Sequence, residues 1–322
     1  LPSGWWPWRC RSLGRPRMPK IPLGKLWDQG FVGLTAICAV ATGGLLLAIV
    51  GTLLQQATPA ITAFGWQFLV TPIWNPVRGQ YGIGPQLWGT LFTAGLALGL
   101  AVPLGLGVAI GLTESWPWIP PRLQTGAAAA VEVLAAIPSV VYGLWGIFVL
   151  IPSLRTLQKL YPAFGGAVTI GPSVGVASLV LGMMILPTVA AVARSSLRQV
   201  PSEYRLAAMA VGATRWETLL GIILPAARAG IGSGILLALA RALGETMAVT
   251  MLIGNANRVS ASLWQPGSTI PSLLANQFAE AQGMQVAALM YAALVLLGVT
   301  VVVQGVARLG LTDSTALKGE DS

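Results

Sequence analysis

An arginine and a glutamate lie four residues apart in an otherwise apolar stretch from Ala229 to Ile253. Arg241 and Glu245 belong to the segment Arg-Ala-Leu-Gly-Glu-Thr-Met-Ala-Val at 241–249. A charged side chain costs about 2.5–3.5 kcal/mol at the centre of a bilayer, so each needs a partner or a ligand. On one continuous helix the two side chains would share a face. They form either an ion pair that fixes helix packing or a site for a charged ligand.

The composition indicates the elements that must position this pair. The 322-residue chain is 55% hydrophobic and only 9% charged, far below the roughly 25% charged content of soluble domains. Six apolar stretches are long enough to cross a hydrocarbon core of about 30 Å as helices. They are 31–54, 88–112, 127–151, 171–193, 229–253 and 284–307. We predict an all-α fold, a polytopic membrane protein with six transmembrane helices.

These boundaries place the charged residues at different depths. Arg241 lies about 12 residues into the fifth predicted span, roughly 18 Å from its start and near the bilayer midplane. Glu132 lies about five residues into the third predicted span, roughly 10 Å closer to the cytoplasm. We expect Glu132 either to line the inner end of a pathway or to bond a neighbouring helix, and direct pairing with Arg241 stays open.

The basic residues predict the orientation. With both termini cytoplasmic, fourteen Lys and Arg residues lie inside and four lie outside, which satisfies the positive-inside rule. The net charge of +9 then follows from topology and from attraction to anionic lipid heads, and nucleic-acid binding is not predicted. We expect a cytoplasmic lead over 1–26, a membrane domain over 27–308 and a cytoplasmic tail over 309–322. Residues 1–17 are expected to precede the native start at Met18, with an interfacial anchor as the alternative.

Several classes of chemistry are excluded by residue type. The chain has two cysteines and no histidine, so a disulfide framework, a zinc site and histidine acid-base catalysis are not predicted. No Gly-x4-Gly-Lys-Ser/Thr loop occurs, so the chain does not handle ATP in the usual P-loop manner. We predict neither an enzyme nor a bound cofactor or metal.

The segment between the fourth and fifth predicted spans differs from the rest. From Arg194 to Arg228 the chain becomes charged but keeps apolar residues at helical spacing. We predict two short amphipathic helices, hinged at Gly212 and stopped by Pro225. Such a pair at a membrane surface either docks on a protein or lies on lipid.

The same segment carries a recognisable motif. Leu206-Ala-Ala-x3-Gly212-x9-Ile222-x-Leu224-Pro225 resembles the EAA loop of bacterial ABC-importer permeases over its full 20-residue spacing. The family's leading glutamate is Leu206 here, and the nearest acid is Glu203. The resemblance implies a coupling loop over 203–225 that seats in a groove of an ATPase. The coupling residues it implies are Leu206, Ala207, Ala208, Gly212, Ala213, Thr214, Arg215, Trp216, Leu224 and Pro225.

Two further segments narrow the family. Ala-Ile-Pro-Ser-Val-Val-Tyr-Gly at 136–143 and the segment at 241–249, taken with the EAA loop, are similar to the PstC-like permeases of phosphate-import ABC transporters. The resemblance covers about 27–308 and implies a type I ABC importer permease in a bacterial inner membrane. It also implies three protein partners: a second permease (PstA-like), an ATPase dimer that binds the ATP (PstB-like) and an external phosphate-binding protein (PstS-like).

In that setting Arg241 and Glu245 acquire roles. Arg241 is predicted to contact phosphate transiently, because a guanidinium presents two parallel donors to two oxygens. Glu245 is its predicted counter-charge and discriminator, since hydrogen phosphate keeps a proton with which it can donate a hydrogen bond to a carboxylate, and sulfate has none. Two alternatives remain: a permease for sulfate or molybdate, and a proton-coupled secondary transporter, which would leave the EAA spacing without purpose.

Overall fold

A computed structural model describes residues 23–114, 120–161, 169–259 and 262–316, with side chains described between 30 and 309 outside those gaps and residue 121. The predicted start at Met18 and the basic residues before it lie outside the described part. The chain divides into two compact units, Leu1–Gly51 and Thr52–Ser322.

Helices dominate the described residues. Their bounds are α1 Leu23–Phe64, α2 Gln67–Val70, α3 Gly84–Thr113, α4 Pro121–Ala136, α5 Ser139–Trp145, α6 Ile151–Leu160, α7 Val174–Gln199, α8 Ser202–Ala210, α9 Arg215–Thr218, α10 Leu224–Gly244, α11 Met247–Leu252, α12 Ile270–Gln277 and α13 Met284–Ala316. Short 3-10 turns cover Pro76–Arg78 and Phe278–Glu280, and π turns cover Gly146–Leu150 and Leu219–Ile223. No strand occurs in the residues described.

Six helices in this part of the chain are long and apolar enough to cross a membrane, which confirms the predicted number. They are Gly30–Phe64, Gly84–Thr113, Ser139–Leu160, Val174–Gln199, Arg215–Gly244 and Met284–Leu309. The described residues of the first unit form the first part of α1, whose apolar side chains from residue 30 onward are almost all exposed. A helix that is apolar on every side is typical of a membrane span.

Three predicted spans have the wrong boundaries, and the first of them continues to Phe64 rather than ending at 54. The third begins at Ser139 rather than at 127, because the chain is extended at Ile137 (φ −67°, ψ 128°) and Pro138. A residue before proline is biased away from helical dihedral angles, and proline fits best at a helix start. The fifth runs over Arg215–Gly244 rather than over 229–253. The last helix continues to Ala316, so the predicted tail from residue 309 is partly helical.

Helix α7 is the centre of the second unit. Two thirds of its most apolar window is buried, against 33% or less in the other five spans. It packs against α3 and α10, and the largest core cluster includes Ala97 of α3, Leu181 and Ile185 of α7, and Leu243 of α10. A Cβ on Gly234 would lie 2.9 Å from Val192, so a glycine there lets α10 approach α7 closely. The core thereby fixes where the carboxyl ends of α7 and α10 lie.

Candidate functional site

Helix α10 ends one residue before Glu245. Glu245 is extended (φ −68°, ψ 122°), and a new helix, α11, starts at Met247. The prediction that Arg241 and Glu245 share one face of a continuous helix is therefore wrong. Two side chains at the break bond nearby backbone groups. The Thr246 hydroxyl donates to the Gly244 carbonyl at 3.1 Å, and Glu245 Oε1 accepts from the Ala248 amide at 3.4 Å. Broken helices at membrane depth are typical of pathways, where the freed backbone groups face a polar cavity.

Arg241 lies in the last turn of α10, near the end of the span Arg215–Gly244 rather than near the middle as predicted, and its side chain is exposed. Its guanidinium forms no ion pair with a described residue and therefore no ion pair with Glu245. An arginine at a helix carboxyl end is favourable because it offsets the negative end of the helix dipole. Its donors are left for a ligand or for another chain.

Glu245 is half-buried and faces a small cavity lined with hydroxyl groups. Thr90, Thr93 and Thr269 line this cavity together with Glu245. Thr90 accepts a hydrogen bond from the Ile270 amide at 3.0 Å, whereas the buried hydroxyl of Thr93 has no partner. A buried polar atom without a partner costs about 1–3 kcal/mol. The sequence reasoning missed these threonines, although two of them three residues apart in an apolar span were a usable signal.

Glu132 does not lie in the third span. It belongs to α4, a 16-residue helix that ends before the break at Ile137, and its side chain is exposed. It lines a cavity with Arg194 and Arg198 of α7. No contact joins it to Arg241 or Glu245 among the described residues, so the structure does not bring the three predicted pathway residues together.

The predicted helix pair between the fourth and fifth spans is present. Helices α8 and α9 are joined at Gly212, whose φ of +90° is readily adopted only by glycine. Thr214 caps α9: its hydroxyl accepts from the Glu217 amide, and the Glu217 carboxylate accepts from the Thr214 amide. This capping box fixes the direction in which the chain leaves the hinge.

Pro225 does not stop the helix, which corrects the second half of that prediction. The chain runs helically from Arg215 to Gly244, with a π turn over Leu219–Ile223 just before the proline. Within this turn the Leu224 amide donates to the Leu219 carbonyl, five residues back. The wider turn shifts the hydrogen-bond register where proline offers no N–H, so the helix continues.

The exposed face of the helix pair is apolar. Leu206 is 64% exposed, Val211 86% and Trp216 53%. Ala208, one of the coupling residues that the resemblance implies, is only 4% exposed and does not belong to this exposed face, whereas Val211 does. Exposed apolar residues grouped in this way are typical of a protein contact.

An ion pair anchors the helix pair to the rest of the chain. Arg205 donates to Glu114 at 3.0 Å and also to the carbonyls of Leu197 and Val200 at 3.3 and 3.2 Å. Glu114 follows the end of α3, so Arg205 connects α8 to two spans. The sequence reasoning did not identify this pair because its members are far apart in the chain.

The chain is similar to known transport proteins over most of its length. Residues 101–309 match the family described as binding-protein-dependent transport system inner membrane component. A Haemophilus influenzae protein named phosphate transport system permease protein PstC is 40% identical over 303 residues, which are 90% of this chain and 95% of that protein. A Mesorhizobium japonicum protein of the same name is 38% identical, over 88% of this chain and 89% of that protein.

Solved structures share the fold at low identity. An inward-facing structure of the MetNI methionine ABC transporter matches 75% of this chain and 99% of that chain, with 16% identity and a TM-score of 0.57. A bacterial alginate ABC transporter in complex with a pentasaccharide-bound periplasmic protein matches 89% of this chain and 96% of that chain, with 14% identity and a TM-score of 0.58. The fold is therefore that of a type I ABC importer permease. The chain is a multi-pass membrane protein that belongs to the binding-protein-dependent transport permeases and, within them, to the PstC family.

Proposed function

We propose that this chain is the membrane-spanning permease subunit of an ATP-driven phosphate importer in a bacterial inner membrane. The 40% identity to a phosphate transport permease over 90% of this chain carries the proposal. The chain forms half of the translocation pathway and has no ATPase site of its own. A second permease similar to PstA forms the other half, an ATPase dimer similar to PstB hydrolyses the ATP, and a phosphate-binding protein similar to PstS delivers the substrate.

The break after α10 is the proposed phosphate contact. Arg241 forms no ion pair with any residue that the structure describes, and its exposed position supports a role toward a ligand or toward the second permease. Two parallel N–H donors fit two phosphate oxygens. The contact must be weak, because a pathway site that holds its anion tightly cannot release it.

Glu245 is the proposed discriminator between oxyanions. It lines a small cavity with the unpartnered Thr93 hydroxyl, and its carboxylate can accept a hydrogen bond from the protonated oxygen of hydrogen phosphate. Sulfate has no such proton and would meet a carboxylate with no hydrogen bond to offset the repulsion. The carboxylate therefore favours phosphate over sulfate and molybdate.

Energy reaches the pathway through the helix pair. The apolar face at Leu206, Val211 and Trp216 seats in a groove of the ATPase on the cytoplasmic side. Because α9, the π turn and α10 form one continuous helix up to Gly244, a push on Trp216 is transmitted along that helix toward Arg241. ATP hydrolysis in this way alternates access to the anion site.

Uptake by the reconstituted four-component transporter tests the proposal. Proteoliposomes that contain this chain, the second permease, the ATPase and the binding protein should accumulate labelled phosphate only with ATP. A tenfold excess of sulfate should not compete. Uptake driven by a proton gradient without ATP, or equal transport of sulfate, would contradict the assignment.

A further inference from the structure

The carboxyl end of α7 carries two cations that no described residue pairs. Arg194 and Arg198 lie four residues apart, and both line a cavity of about 330 Å³ between α7 and α4. The described ion pairs include neither of them, and the Nε atom of Arg194 is buried without a hydrogen-bond partner. Like charges at this spacing repel each other unless something between them compensates.

The other residues of the cavity do not supply that compensation. Glu132 is the one carboxylate among its lining residues, and it forms no ion pair with either arginine. Gln124 donates its amide to the carbonyls of Gly111 and Glu114 at the end of α3. The lining therefore contains two positive charges and one negative charge. The guanidinium donors of the two arginines are available to a negatively charged ligand.

The cavity has the size of a small-molecule site. Its volume lies at the lower end of the roughly 300–1,000 Å³ typical of ligand pockets. Ala128 and Ala129 of α4 face it, and these short side chains leave space opposite the guanidiniums. A guanidinium matches the oxygens of a tetrahedral phosphate group in a planar, bidentate arrangement.

We propose that Arg194 and Arg198 form a second oxyanion site, which binds a phosphate group at the end of α7. The phosphate group belongs either to inorganic phosphate or to the headgroup of a lipid. Neither arginine belongs to the proposed pathway contact at Arg241, so the two sites can be tested separately.

Binding of inorganic phosphate to the full chain tests the site. The chain is placed in nanodiscs of phosphatidylcholine, in an Arg241→Gln background that removes the pathway contact, and phosphate is titrated by calorimetry. We expect saturable binding that Arg194→Gln with Arg198→Gln weakens about 100-fold, since each loses charge-assisted hydrogen bonds. Arg228→Gln is the matched control, because Arg228 is a half-buried cation of α10 outside this cavity.

A second arm distinguishes the two sources of the phosphate group. The titration is repeated in nanodiscs that contain phosphatidylglycerol, and the lipid retained after delipidation is measured. Weaker phosphate binding, with retained phosphatidylglycerol that the double variant loses, assigns the site to a headgroup. Unchanged phosphate binding assigns it to the free ion.

Three outcomes would overturn the site. They are a double variant that binds phosphate and retains phosphatidylglycerol like its parent, an Arg228→Gln control that weakens binding as strongly, and a parent chain that binds neither. A double Arg→Lys variant should keep part of the affinity, because the charges remain while the bidentate geometry is lost.

Discussion

The break after α10 and the hinge between α8 and α9 place residues in opposite ways. At the break, a charged Arg241 lies in the last turn of an apolar span and a half-buried Glu245 follows its end. At the hinge, apolar Val211 and Trp216 stand exposed in a charged segment. Each placement is costly for the isolated chain. The difference indicates that the break is suited to a charged ligand and the hinge to an apolar partner surface.

The largest expected effect concerns the charge at the break. Arg241→Gln should lower ATP-driven phosphate uptake about 100-fold, because a bidentate, charge-assisted contact is lost. Arg241→Lys should retain more uptake than Gln, since the charge stays. Initial rates in proteoliposomes measure the effect. Arg258→Gln, in the loop after α11, is the control and should transport normally; normal uptake by Arg241→Gln would remove the anion contact.

The opposite chemistry is expected at the hinge. Val211→Glu with Trp216→Glu should lower uptake at least about tenfold and release the ATPase during purification, because a charge cannot enter an apolar groove without a large desolvation cost. Membrane insertion should be unchanged, since both side chains are exposed. Val77→Glu is the matched control, because Val77 is 96% exposed and lies in the 3-10 turn Pro76–Arg78, far in sequence from the hinge. ATPase retention by the double variant would contradict the docking face.

Selectivity sharpens the assignment of the break. Glu245→Gln should let sulfate enter and lower the ratio of phosphate to sulfate uptake about tenfold. Phosphate loses a hydrogen bond to a charged carboxylate, and sulfate is no longer repelled by it. The glutamine oxygen can still accept from the Ala248 amide, so the start of α11 is preserved. Competition uptake with both labelled anions measures the ratio. Glu280→Gln, on the exposed 3-10 turn, should leave it unchanged, and an unchanged ratio in Glu245→Gln would assign that residue to helix capping alone.

A backbone change tests the hinge without altering its surface. Gly212→Ala requires φ near +90° for a residue with a Cβ, which costs about 1–3 kcal/mol. Nothing lies within 4 Å of the added Cβ, so strain is the only expected effect. Uptake should fall several-fold while the ATPase stays bound. Gly107→Ala is the control, because its site is equally open and its φ is helical.

The sequence predicts a region well when the spacing of residues within that region determines its structure. The helix junction at Gly212 and the number of spans follow from residue spacing and hydropathy, and both predictions are confirmed. The prediction that Pro225 stops the helix is wrong because a π turn before the proline lets the helix continue. The residue types around Pro225 do not indicate this turn. The break at Glu245 was missed because an unbroken apolar run predicts one helix, and only the Gly-Glu-Thr order hints otherwise.

The start of the third span is also not predicted correctly from hydropathy. Pro138 indicates a break, but the apolar residues on both sides of it favour one span over two helices. The hydropathy of this run therefore predicts Glu132 about five residues into a span, and gives no sign that it lines a cavity with Arg194 and Arg198. Contacts between distant elements, such as Arg205 with Glu114, depend on helix packing that a single sequence does not specify.

The smallest expected effect concerns that ion pair. Glu114 and Arg205 are each 22% exposed, so water screens the pair, and its loss should cost about 1 kcal/mol. In Glu114→Gln the amide oxygen can still accept from Arg205, and the Leu197 and Val200 carbonyls continue to hold the guanidinium. Uptake should fall less than about threefold. Glu280→Gln is the control, because Glu280 is an exposed acid of the 3-10 turn Phe278–Glu280, outside the coupling loop. A loss as large as that of the Val211 and Trp216 variant would mean that the position of α8, rather than its apolar face, sets coupling to the ATPase.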